Sequence, residues 1–143
     1  MRLEHLLPEH VNKLLPNIQP QQKDAVEISS ELIDAVGNYG PGIAVINGKE
    51  VIACMGMIDI ASSKRAIVWA LLAGGLRENA ITVYRAAVKF LAQNKRRRLE
   101  MHIDPDFPEA ARLAKMLKFN MEGTMECFAN DGSDRQLWSR VEK

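Results

Sequence analysis

The chain has 143 residues, 47% of them hydrophobic and 26% charged, with a formal net charge of +1. That length supports one buried core, the composition excludes a disordered chain, and the near-zero charge argues against a bulk field drawing it to nucleic acid or to an anionic membrane. The longest apolar run, from Ala66 to Leu76, falls well short of the ~20 residues a membrane-spanning helix needs.

The N-terminus carries Glu4 and Pro8 where a signal peptide needs a clean apolar stretch. Cys54 and Cys127 are expected as reduced thiols in a cytoplasm, since a core of this size needs no disulfide. Sequence leaves open that adjacent strands bring the two together.

Taken in chain order, residues 1–6 read as a short strand. Residues 8–15 read as a short helix, with Pro8 near its start and Val11, Leu14 and Leu15 on one side. Pro16 and Pro20 interrupt the chain, and a second helix is expected over 21–36, ended by Gly37. After the turn cluster Gly40-Pro41-Gly42, two apolar runs (43–46 and 51–58) flank Asn47-Gly48. Asn-Gly between apolar runs is a strong hairpin signal, because both residues tolerate positive φ. Gly56 inside the second arm suggests a bulge or a close backbone approach.

Residues 61–65 read as a loop, and 66–72 as a central strand covered on both faces. A helix is expected over 79–93, capped by Asn79, with Ile81, Tyr84, Val88 and Leu91 on its inner face. Residues 97–103 read as a further strand. Asp106 and Glu109 fit a capping box for a helix reaching Leu117, with Ala110, Leu113, Ala114 and Leu117 inward. Two final strands, 124–128 and 136–141, flank the turn Asn130-Asp131-Gly132-Ser133. The expected class is α/β: a mixed central sheet flanked by helices, in the order β-α-α-β-β-β-α-β-α-β-β, with a right-handed crossover in its second half and a single domain over 1–143.

The run Ala110-Ala111-Arg112-Leu113-Ala114-Lys115-Met116-Leu117-Lys118-Phe119, followed by Met121-Glu122-Gly123, resembles the helix-to-strand segment of the GNAT superfamily of N-acetyltransferases. In that family an apolar helix ends in leucine-glycine-phenylalanine and glutamate-glycine follows. The ending from Asn130-Asp131-Gly132 to Leu137-Trp138-Ser139-Arg140 resembles the family's last hairpin. Element order extends the resemblance over nearly the whole chain; in residues it is specific from about Arg97 onward. The stretch from Arg65 to Leu72, Arg97-Arg98-Leu99-Glu100 and Asp104-Pro105-Asp106-Phe107 resemble a branch carried by tailed bacteriophages and prophages, some of it grouped with internal virion proteins. That branch implies virion proteins as partners, a location in the host bacterial cytoplasm or the virion, and a role in assembly or binding.

The family resemblance implies acetyl-CoA or CoA as cofactor, though the residues alone do not require it. Pantetheine would lie along 69–72, with an oxyanion donor near Leu71, and Leu72, Ala73, Gly74, Gly75, Leu76 and Arg77 would complete the cofactor site. The family's phosphate loop has glutamine or arginine, two residues, glycine, one residue, then glycine or alanine. Here the spacing differs, and Glu78 would repel an anion. The family's acid, a tyrosine, corresponds to Ala114; its helix-ending glycine to Lys118; the asparagine common at the start of this helix to about Phe107. These departures imply weakened catalysis. Tyr39 is the candidate substitute acid, ahead of Tyr84, which is expected in the core. His102 and Asp104 are the candidate bases near the end of the fifth strand, although Asp104 before Pro105 also suits a turn. Glu100 alternates with His102 and is expected to face solvent.

Lys95-Arg96-Arg97-Arg98 could hold the 3′-phosphate of CoA or touch nucleic acid. With no interleaved aromatics, it reads more plainly as a solvated helix end. An active acetyl-CoA-dependent N-acetyltransferase is the alternative to the binding or assembly role. A homodimer through the C-terminal strands is a further expectation.

Overall fold

A computed structural model describes residues 1–18, 41–74 and 76–142. The helix expected over 21–36, together with Tyr39 and Gly75, lies outside the described residues. The strands are β1 (Arg2–His5), β2 (Gly42–Asn47), β3 (Glu50–Ile60), β4 (Ser62–Leu72), β5 (Arg98–Ile103), β6 (Asn120–Met125) and β7 (Arg135–Val141). The helices are α1 (Pro8–Leu14), α2 (Leu76–Ala92) and α3 (Pro108–Met116), and a 3₁₀ turn covers Leu15–Asn17. The seven strands form one sheet in the order β1-β2-β3-β4-β5-β7-β6. β4 and β5 run parallel, with Arg65 opposite Arg98 and Ile67 opposite Glu100. The β1/β2, β2/β3, β5/β7 and β6/β7 pairs are antiparallel. The fold is thus the mixed α/β sheet expected. By its contacts the chain divides into two compact units: Met1–Ile58 with Trp69–Asn94, and Asp59–Val68 with Lys95–Lys143.

In the first unit the expected hairpin forms around Asn47-Gly48, and Gly48 adopts φ 65°. Val11, Leu14, Ala44 and Cys54 are completely buried. Gly56 is required by a close approach, since a Cβ there would lie 2.7 Å from the Trp69 ring. The start of α1 is fixed by a buried imidazole. The Leu7 N–H donates to His10 Nδ1 at 3.0 Å, so Nε2 carries the proton and donates to Glu4 Oε2, also at 3.0 Å.

Helix α2 begins at Leu76, so Asn79 lies inside it rather than capping it. Its buried stripe is Val83, Ala86, Ala87, Phe90 and Leu91, while Ile81 is 68% exposed and Val88 is also exposed. The spacing 83-86-87-90-91 is a regular helical stripe. Its alanines carry little hydrophobic weight, and the bulkier residues at 81 and 88 drew the expected face away from it.

In the second unit Ser62–Arg65 belongs to β4 and is not a loop. The reversal from β3 is confined to Ala61, at φ 60°. Polar composition suggested a loop, but this strand end is pinned through its backbone: Arg65 pairs with Arg98, and the Arg97 N–H donates to the Lys64 carbonyl at 3.0 Å. Ile67 is only partly buried, which departs from a strand covered on both faces. β6 begins at Asn120, ahead of its expected start. Helix α3 has Phe107 as N-cap with no side-chain cap, so the Asp106–Glu109 capping box does not form.

Helix α3 ends in a Schellman motif. The Phe119 N–H donates to the Ala114 carbonyl at 2.9 Å and the Lys118 N–H to the Lys115 carbonyl at 3.0 Å, with Lys118 at φ 70°. The position where the family carries glycine therefore keeps the left-handed backbone while holding a lysine.

Glu100 corrects another expectation, because its side chain is buried and does not face solvent. The Arg65 guanidinium grips it through Nε and, at 3.2 Å, through Nη2, and Arg98 Nε lies 3.4 Å away. Arg98 Nη2 also donates to Glu122 Oε2 at 2.6 Å. Two guanidinium groups let a carboxylate leave water at this position.

Two outcomes are expected in denaturant melts. Lys118→Gly should stabilise the protein by about 1 kcal/mol, the penalty of a side chain in left-handed backbone; an unchanged or lowered midpoint would count against that conformation. Arg65→Met should cost about 2 kcal/mol, less than a fully buried pair because the Arg65 side chain is 47% exposed. Hydrogen bonding from Arg65 holds the Glu100 carboxyl below its ordinary range despite burial. Its stabilisation is therefore present above that range and lost as pH falls through the folded value. Glu100→Gln should accordingly flatten the acid limb of stability against pH.

Candidate functional site

In the first unit the candidate cofactor segment is the end of β4 and the start of α2. Leu71 and Leu72 are buried, Leu71 in a cluster with Leu6, Val11, Leu14, Ala44, Ile46, Val51 and Cys54. The Ala73 N–H donates to the Ile52 carbonyl of β3 at 3.0 Å. Backbone groups alternate in direction along a regular strand, so the Leu71 N–H faces β3 too. Gly74 turns its N–H to the opposite edge, where the Asn17 carbonyl accepts it at 2.6 Å, and Ile18 forms an antiparallel bridge with Ala73.

Only residues 73–75 connect β4 to α2, which is shorter than the six-position phosphate pattern of the family. Leu76 and Arg77 open α2, with Glu78 in the same first turn. Cys54 is no nucleophile, because burial pushes its thiol up to about 12. Both cysteines are free thiols.

In the second unit His102 lies on the strand face it shares with Glu100. The ring is half-buried and meets Phe128 edge to face, with centroids 4.9 Å apart. Burial pushes the imidazole below the ordinary histidine value, against an opposing pull from the Glu100 charge. It is therefore neutral at neutral pH and able to accept a proton.

Asp104 organises a turn. Its Oδ1 accepts from the Asp106 N–H at 2.9 Å, its carbonyl accepts from the Phe107 N–H at 3.0 Å, and Arg135 Nη1 lies 4.0 Å from Oδ2. The loop between β6 and β7 is cross-tied: Asp131 Oδ1 accepts from the Ser133 backbone at 2.9 Å, and Asp134 Oδ1 accepts from the Cys127 N–H at 3.0 Å. That loop carries Phe128 to His102.

Ala114, where the family places its acid, is completely buried. Within the basic run, Arg96 donates to Asp59 at 2.5 Å and Arg98 is held by Glu100 and Glu122. Sequence reasoning missed the pairing of Arg65 with Glu100, for which the only signal is the parallel register of β4 on β5. Among the described residues no cluster of His, Cys, Asp and Glu could hold a metal ion, and no helix is long and apolar enough to cross a membrane.

No protein-family model matches the sequence, and no curated protein sequence does. Solved structures do match it. A mutant of the spermidine N-acetyltransferase SpeG from Vibrio cholerae superposes with a TM-score of 0.69 at 16% identity, over 99% of this chain and 95% of that one. An aminoglycoside 6'-acetyltransferase type Ii gives 0.72 at 12% identity, over 99% and 97%. An acetyltransferase of the GNAT family from Streptococcus pneumoniae gives 0.70 at 12% identity, over 99% of both chains. At such identities the likeness establishes architecture, and the architecture of this chain is that of the GNAT acetyltransferases.

Proposed function

We propose that this chain is an acetyl-CoA-dependent N-acetyltransferase acting as one domain, with a histidine base and no side-chain acid. The observation that carries the reading is the fold shared with acetyltransferases of known structure over nearly the whole of both chains. The cofactor brings an acetyl group activated as a thioester. The backbone of β4 from Trp69 to Leu72 would hold it, and Gly74 with the first turn of α2 would lie toward its phosphates.

His102 accepts the proton of the attacking amine, and its lowered affinity for protons keeps it neutral for that task. Phe128 limits the ring's freedom from one side. Ala114 cannot donate a proton, but a thiolate leaves without one, so positioning carries more of the rate.

A second reading has an observation of its own. The buried alanine at the acid position and the short β4–α2 connection favour a binding or assembly role, as in a phage particle, with the chemistry reduced.

Isothermal titration with acetyl-CoA and with CoA separates the two: micromolar affinity is expected for the enzyme, and absence of heat favours the assembly role. With a panel of polyamines and aminoglycosides as acceptors, His102→Gln should lower kcat/KM by about 10²-fold or more. The wild-type rate should rise with pH through a limb below the ordinary histidine value, because the base works only when neutral. A rate that survives the substitution with the same limb would remove His102 from the chemistry.

A further inference from the structure

The loop joining β6 to β7 is tied more tightly than a surface reversal needs, and the ties converge on one side chain. The Cys127 N–H donates to Asp134 Oδ1 at 3.0 Å, and the Ala129 N–H donates to the Ser133 carbonyl at 3.0 Å. Both neighbours of Phe128 are therefore fastened to the returning chain. Cys127 also adopts φ 54°, a left-handed backbone that favours glycine. A residue with a side chain keeps that conformation only where its surroundings impose it, and the Asp134 carboxylate is what meets its N–H. The ring so held is 50% exposed, yet it is set edge to face against the His102 imidazole, with centroids 4.9 Å apart.

We infer that Asp134 is a positioning residue for the candidate base: through the left-handed Cys127 it sets Phe128 against His102, and the ring keeps water from one side of the imidazole. The inference rests on the histidine-base reading above. Displacing water costs an imidazolium more than a neutral imidazole, so the contact favours the form able to take a proton. Burial does lower the proton affinity of His102. The charges around the ring act separately. Glu100 shares the His102 face of β5 and pulls the other way, while Arg65 and Arg98 hold that carboxylate. On β6, Glu122 accepts from Arg98. On β7, Arg135 lies two residues from the Leu137 opposite His102 and 4.0 Å from Asp104. Removing the Asp134 charge would by itself lower the proton affinity of a nearby histidine. A rise on its removal therefore identifies the lost ring contact.

The test follows the His102 ring by proton NMR in the free protein, where no acetyl transfer is needed. Asp134 and Phe128 are both exposed, so their alanine variants are expected to fold. Asp134→Ala should weaken the NOE between the Phe128 and His102 rings and raise the midpoint of the His102 titration. Phe128→Ala should raise that midpoint too. Asp134→Asn keeps an acceptor oxygen without the charge, and should keep the NOE with no rise. An undiminished NOE in Asp134→Ala, a midpoint that stays or falls in either alanine variant, or an NOE lost in Asp134→Asn would overturn the inference. In acetyl transfer, the acid limb of the rate should move to higher pH in both alanine variants, whereas a merely structural defect would lower the rate without moving the limb. Absence of turnover in the wild type, with the ring contact and its titration behaving as expected, would sink the acetyltransferase reading and leave the positioning of His102 by Asp134 standing.

Discussion

Two parallel strands cannot be joined by a tight turn, and that constraint organises this chain. Because β4 and β5 run in the same direction, with Arg65 beside Arg98, the connection between them must travel back along the sheet, and α2 is that return path. The candidate cofactor segment sits where β4 hands over to this helix, and the candidate base sits toward the end of β5. The parallel register sets Arg65 opposite Arg98, two residues before Glu100, within reach of the Glu100 carboxylate, so one alignment supplies both the topology and the charge pairing that lets a carboxylate sit inside.

The candidate chemistry is lopsided. A neutral imidazole on β5 can take a proton, whereas the position that would give one back holds a methyl group in the core. Such asymmetry is tolerable for a good leaving group and ruinous for a poor one. It suits a thioester donor better than an ester or amide donor.

Much of the architecture was legible in the sequence, and the failures have physical causes. The Asn47-Gly48 hairpin and the order of the described elements follow from local rules, because each depends on residues adjacent in sequence. The inner face of α2 was misread because alanines at 86 and 87 bury as completely as leucines while signalling less. The start of β4 was missed because Lys64 and Arg65 are pinned by backbone pairing with Arg97 and Arg98, more than 30 residues away. Glu100 looked like a solvent residue because its partner Arg65 is remote in sequence. His102 and Asp104 were singled out as candidates because titratable groups near a strand end are few here, although only coordinates could place Phe128 against the imidazole. Lys118 is the reverse case: the resemblance flagged a missing glycine, and the backbone retains the glycine-like conformation anyway.

The two cysteines end up chemically unequal. Cys54 is sealed in the core with its thiol pushed up to about 12, whereas Cys127 is exposed at the base of the last hairpin's loop, one residue before the ring that touches His102. An alkylating probe would therefore tag a single address without any engineering. A fluorophore attached there would be joined one residue from Phe128, the ring that touches the imidazole, and would serve as an optical witness of changes in that loop.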